Sequence, residues 1–105
     1  MRTITPRELA SWLEQPDAPV VLDVREPWEV ATASLPGSLA IPMREIPGRL
    51  AELPDQRPVV CLCHHGMRSA QVAMFLQRQG FDAVFNLTGG IDAWSRDVDP
   101  SVPTY

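Results

Sequence analysis

The stretch "VVCLCHHGMRSAQVAMFLQRQG", residues 59–80, decides how this chain is read. It places both cysteines, both histidines, a glycine and an arginine in the eight positions 61–68. The run from Pro58 through Cys63, "PVVCLC", is continuously apolar, as a strand covered on both faces of a sheet must be. In "SAQVAMFLQRQG" the spacing of Val72, Ala73, Phe75 and Leu76 makes one buried stripe of a helix that Gly80 stops. Between strand and helix lies the polar loop "CHHGMR". In parallel α/β sheets that position, beyond the carboxyl end of a strand, is where ligands bind.

Working outward, short β-rich runs alternate with helical ones. "TPRELASWLE" carries Thr5 as N-cap, Pro6 at the first helical position and Glu8 closing a capping box. Leu9, Trp12 and Leu13 form its apolar stripe. "PVVLDV" reads as a buried strand, "EPWEVAT" as a short helix, and "LPGS" as a type II turn centred on Pro36-Gly37. "LAIP" predicts a short strand and "PGRLAELP" a short helix with Pro47 near its start, Leu50 and Leu53 on one side, and Pro54 as its stop. "DAVFNL" predicts another strand, "GGIDAWSRD" a last helix, and the Pro-rich tail "VDPSVPTY" an irregular segment packed across the surface. Strands alternating with helices imply a parallel sheet flanked by helices on both faces.

The 105 residues are enough for one domain, spanning 1–105, and too few for two. With 45% hydrophobic and 21% charged residues, the composition is that of a globular protein. Apolar runs are too short to span a bilayer, so no membrane association is expected. The opening "MRTITPRELA" lacks the apolar core of a leader, and a complete, cytoplasmic chain is expected. A net charge of -4 without any basic run argues against nucleic acid as a partner. All nine basic residues are arginine. Without lysine, Schiff-base chemistry is excluded, and any cation at a site must be arginine, protonated histidine or a helix N-terminus.

In the loop, Cys61 is flanked by Val59, Val60 and Leu62 and reads as a small core hydrophobe. Cys63 is the last residue before the polar loop. Backbone N–H groups from His64, His65, Gly66, Met67 and Arg68 can turn inward around one point, with Gly66 relaxing the steric limits of the turn. A helix beginning near Ser69 adds the positive end of its dipole. A sulfur held there has its thiolate stabilised and becomes a nucleophile. The planar fork of Arg68 suits an oxyanion such as a sulfonate or phosphate. The cysteines and histidines are also possible zinc ligands, but adjacent side chains at a strand end diverge rather than converge on a tetrahedron. The C-x-C spacing disfavours a redox pair. The histidines are read as loop residues that set local electrostatics and access rather than as acid–base groups.

These residues resemble the rhodanese-like sulfurtransferases. "CHHGMRS" resembles their active-site loop, and "LDVREPWE" is similar to their Asp-Val-Arg motif followed by a glutamate, here Asp23, Arg25 and Glu29. "LPGSLAIP" resembles their Ile-Pro-Gly-Ala segment, and "NLTGGIDAW" their Gly-Gly loop and tryptophan. Ala33, Ser34 and Leu35 stand where many members carry Gly-His-Ile, so the usual histidine is absent. The resemblance implies an open five-stranded parallel sheet with helices on both faces. It also implies that Cys63 is a nucleophile carrying a persulfide, with the backbone from His64 to Arg68 as its cradle. Asp23, Arg25, Glu29 and Ser69 become structural supports, Gly89 and Gly90 a tight turn beside the site, and Trp94 a core anchor. The implied reaction takes a sulfane sulfur from a small donor such as thiosulfate. The acceptor is cyanide in an assay and a thiol in the cell, protein thiols included. No metal or organic cofactor is required. The six-residue loop from Cys63 to Arg68 matches sulfurtransferases, whereas related phosphatases use one residue more to admit phosphate. A Cys-dependent phosphatase or arsenate reductase, and a sulfur-relay or interaction module with little turnover, are the rival readings.

Overall fold

Five strands, β1 (Arg2–Ile4), β2 (Val20–Asp23), β3 (Leu39–Ala40), β4 (Val59–Leu62) and β5 (Val84–Leu87), pair in parallel in the order β1-β5-β4-β2-β3. Among the described residues there are four α-helices: α1 (Pro6–Leu13), α2 (Pro27–Thr32) and α3 (Met67–Arg78) connect strands, and α4 (Gly90–Asp97) follows β5. The structure is a computed structural model that describes residues 1–54 and 56–105. Among the described residues, no helix is long and apolar enough to cross a membrane.

Strand β4 is central, and every one of its residues is buried. Alternation divides them between two cores. Val59 and Cys61 join Leu22, Val72, Ala73 and Leu76 on the α3 side. Val60 and Leu62 join Leu9, Leu87, Ile91 and Trp94 on the side of α1 and α4. Continuous burial of β4 is therefore the direct result of helices on both faces. The chain runs from β2 outward to β3, but from β4 in the opposite direction to β5. The carboxyl ends of β2 and β4 thus flank a topological switch point, where the diverging connections leave a crevice.

Most expected elements form where their local signals put them. Thr5 caps α1 through the Glu8 amide at 3.2 Å, while Glu8 reaches back to the Thr5 amide at 2.9 Å. Gly37 has φ of 81°, as the third position of the expected type II turn requires. One strand carries no signal in the sequence, and two readings need correction. The edge strand β1 has only Ile4 buried, so "RTI" carries too little apolar pattern to announce itself. Helix α3 starts at Met67, before Ser69, because Gly66 with φ of 108° already ends the loop. "PGRLAELP" does not form one short α-helix. Instead, tight 3-10 turns span Met43–Gly48 and Leu50–Glu52, with Pro47 inside the first. Pro47 has no amide to donate, so the hydrogen-bonded ladder cannot continue through it.

Candidate active site

The Cys63 loop leaves β4 at the switch point and is fastened from three directions. On one side, the Val24 amide donates to Leu62 O at 3.0 Å, tying the end of β2 to the end of β4. On the other, the first turn of α4 grips the loop backbone: the Ile91 amide donates to Cys63 O at 2.9 Å and the Asp92 amide to His64 O at 3.1 Å. Gly90 makes that contact possible. A Cβ there would lie closer than 3.0 Å to the carbonyl oxygens of Cys63 and His64. Gly89 and Gly90 both have positive φ, so the expected tight turn beside the loop is present.

The third fastening comes from β5. Asn86, a polar residue inside an apolar strand, donates through Nδ2 to Gly66 O at 3.0 Å and accepts the Ser69 hydroxyl at Oδ1. Ser69 Oγ also lies 3.2 Å from Cys63 Sγ, and the Gly66 amide donates to the same sulfur at 3.0 Å. A hydroxyl has a single proton. When Cys63 is a thiol it can donate to Ser69, which donates onward to Asn86. When Cys63 is a thiolate, Ser69 can turn its proton to the sulfur. The sulfur therefore has a partner in either state.

Cys63 is only 1% exposed, yet it lies at the base of a depression of about 160 Å³ lined by His64, His65, Met67 and Arg68. Reagents of a few heavy atoms fit there. Wider depressions lie between α1 and α4 and at the opposite end of the sheet, but neither is lined by a cysteine or histidine. Met67, 78% exposed, stands at the rim. Cys61 faces the same core cluster as Cys63 but is sealed, and burial pushes its thiol up to about 12. It carries no charge at neutral pH. Both cysteines are free thiols.

Arg68 does not hold a free fork toward the depression. Its Nη1 and Nη2 donate to Glu29 Oε1 and Oε2 at 2.7 and 2.8 Å, a bidentate pair. That guanidinium holds the Glu29 carboxyl far below the usual range, at about 2. Glu29 also accepts the Glu26 amide at 3.0 Å, closing the first turn of α2. It thereby joins α2 to the second residue of α3, a longer reach than support of β2 and its following loop alone. Asp23 and Arg25 form a fully buried bidentate pair, with Arg25 Nη2 donating to Asp23 Oδ2 at 2.7 Å and Arg25 Nε to Oδ1 at 2.9 Å. Arg25 also donates to Ala33 O at 2.6 Å, which sets the chain after α2.

The histidines contribute rings as well as backbone. His64 is stacked on His65 at 3.9 Å on one face and on Tyr105 at 4.0 Å on the other. Burial and neighbouring His65 lower its pKa, so His64 is neutral near pH 7. His64, His65 and Asp92 bring possible ligand atoms within 4.8 Å of one another, a grouping that excludes both cysteines. Tyr105 and Asn86 are the site neighbours that sequence reading missed. The polar Asn86 within "AVFNL" was a usable signal; the tail residue Tyr105 gave none.

Residues 5–97 match the family described as "Rhodanese-like domain". The chain is 44% identical to "Rhodanese-like/PpiC domain-containing protein 12, chloroplastic" of Arabidopsis thaliana, a match that covers 100% of this chain but 38% of that protein. It is 39% identical to a protein named "Sulfurtransferase" from Allochromatium vinosum, over 94% of this chain and 92% of that one. A rhodanese-like domain protein from Staphylococcus aureus superposes with a TM-score of 0.86 at 31% identity, covering 100% of this chain and 99% of that one. The chain belongs to the rhodanese-like domain family, and sulfur transfer in general is the function its relatives support.

Proposed function

We propose that the protein is a sulfurtransferase of the thiosulfate (rhodanese) type, working through a persulfide on Cys63. The observation that carries this reading is the pair of donors aimed at one sulfur, the Gly66 amide and the Ser69 hydroxyl, at the base of an opening sized for a small reagent. In the first step, the Cys63 thiolate attacks the outer sulfur of thiosulfate. A Cys63 S–S bond forms, the S–S bond of thiosulfate breaks, and sulfite leaves with the electron pair. In the second step, a thiophilic acceptor attacks the outer sulfur of the persulfide. That sulfur moves to the acceptor and Cys63 leaves as a thiolate. Electrons balance within the two steps, and every group required belongs to the chain or the reactants.

The cradle stabilises the sulfur anion at the start and end of the cycle, where fixed dipoles need no reorganisation. The amino-terminal turn of α3 adds its dipole from the same side. Cyanide serves as acceptor in an assay and a thiol in the cell, protein thiols included. A reducing compartment such as the cytoplasm suits both the free Cys63 and a thiol acceptor. Neither nucleic acid nor membrane enters this reading.

The test compares two substrates on one enzyme preparation. Sulfite release from thiosulfate in the presence of cyanide is expected, and hydrolysis of an aryl phosphate is not. Phosphate turnover without thiosulfate turnover overturns the proposal and favours the phosphatase alternative.

A further inference from the structure

Tyr105 lies outside the residues 5–97 that match the family, yet it reaches the Arg25 and Glu29 side chains that support the site. The tail that delivers it is folded rather than trailing. The Val98 amide caps α4 on Trp94 O at 2.9 Å, Ser101 donates to Asp99 Oδ1 through its amide at 3.1 Å and its hydroxyl at 2.6 Å, and the Val102 amide closes a turn on Asp99 O at 3.1 Å. Val102 is buried with Ile4, Leu9 and Trp94. Pro100 and Pro103 on either side of this anchor restrict the unfolded tail and so lower the entropy lost on docking.

At its end the phenol occupies the gap between two ion pairs. Arg25 Nη1 donates to the Tyr105 oxygen at 2.8 Å, and the Tyr105 hydroxyl donates to Glu29 Oε2 at 2.8 Å. The direction is fixed, since a guanidinium can only donate and a carboxylate can only accept. Burial holds the phenol above its ordinary pKa, so the proton needed for this bridge is retained. The ring lies nearly parallel to His64, with 8° between planes, and Trp28 packs edge-on against it at 5.9 Å.

We infer that Tyr105 is a positioning residue for the Cys63 loop, its hydroxyl joining the Asp23–Arg25 pair to the Glu29–Arg68 pair and its ring fixing His64. The inference rests on the reading of Cys63 as the nucleophile. Without the hydroxyl, Arg25 Nη1 keeps only a 3.3 Å contact with Glu29 O, and Glu29 Oε2 keeps only Arg68. The Glu29–Arg68 pair then loses one of its holds and is kept in place from the α2 side by the Glu26 amide on Oε1, so it can shift as a unit. Arg68 sits in the first turn of α3, two residues after the Gly66 amide that contacts the sulfur. A shift there alters the donors around Cys63, although Tyr105 itself touches neither sulfur nor substrate.

Two variants separate the parts. Tyr105→Phe removes only the bridge and keeps the ring on His64, whereas Tyr105→Ala removes both. The primary readout is the rate of Cys63 alkylation by iodoacetamide across a pH series, followed by mass spectrometry. A residue that merely stabilises the fold leaves that profile unchanged in the folded protein. Tyr105→Phe should displace the profile and lower kcat for thiosulfate about fivefold, the scale of one lost hydrogen bond, with KM little changed. Tyr105→Ala should do more of both, with folding verified by circular dichroism. An alkylation profile of Tyr105→Phe superimposable on the parent overturns the inference, whatever happens to turnover. Failure of the parent to take sulfur onto Cys63 instead overturns the sulfurtransferase reading. The alkylation profile still measures the coupling of Tyr105 to the thiol in that case.

Discussion

Cys61 and Cys63 lie two positions apart, point into the same core cluster and are almost equally buried, yet their surroundings are chemically opposite. Cys61 is packed into a central strand beside Leu22 and Asn86 with no donor on its sulfur among the described residues, and burial drives its thiol up to about 12. Cys63 stands one residue past the last ladder position of the same strand, where the backbone turns and its N–H groups are no longer used by neighbouring strands. The Gly66 amide and Ser69 hydroxyl meet its sulfur there. Solvent exposure does not distinguish the two. What differs is that Cys63 lines the loop depression and has donors aimed at its sulfur, and both follow from where the strand ends.

The sharpest way to break this contrast is Cys63→Ser. Turnover with thiosulfate should fall by about three orders of magnitude or more, because a hydroxyl is a far weaker nucleophile than a thiolate. Thermal stability should stay near that of the parent. Next in size is Gly90→Ala, which pushes a methyl group into the Cys63 and His64 carbonyls. A loss of about 2–3 kcal/mol in denaturant unfolding is expected, with turnover falling further than stability alone explains.

The ion pair that steadies the loop gives the pH-dependent prediction. The Glu29 carboxyl is depressed to about 2 in the fold, so its contribution is fully present above the ordinary carboxylate value of 4.5. It is lost as pH falls from there toward about 2. Glu29→Gln should therefore be less stable than the parent at neutral pH by about 3 kcal/mol at most, and the gap should close over that acidic window. Urea unfolding at several pH values checks this. Arg68→Ala should lower turnover by a similar factor to Glu29→Gln, and the double variant should be little worse than either. Strict additivity would show that Arg68 acts on the donor independently of Glu29. The smallest effect belongs to Cys61→Ala: about 1–2 kcal/mol of stability from the vacated volume, with turnover within about twofold.

The fold was legible wherever the determining signal is local. Thr5 and Glu8 announce the start of α1, the unbroken run Val59–Leu62 announces a doubly covered strand, and Pro36-Gly37 announces its turn. Where the signal is not local, reading from the chain stops short. The pattern of Leu50 and Leu53 gives no means of separating 3-10 turns from an α-helix, since both bury one side in so short a segment. Strand β1 forms because β5 offers it an edge, not because "RTI" prefers one. At the site, Cys63, the glycines and the Asp23–Arg25 pair could be named from motifs. The partner of Arg68 could not, since a free arginine and a paired one look alike in sequence. The contact between Glu29 and Arg68 crosses 39 positions, and that between Tyr105 and Arg25 crosses 80.

Intact mass spectrometry of the protein after thiosulfate treatment, followed by peptide mapping, tests the central claim most directly. One added sulfur on Cys63, lost on addition of cyanide and absent from Cys61, is the predicted result. An unmodified Cys63, or sulfur residing on Cys61, would contradict the account.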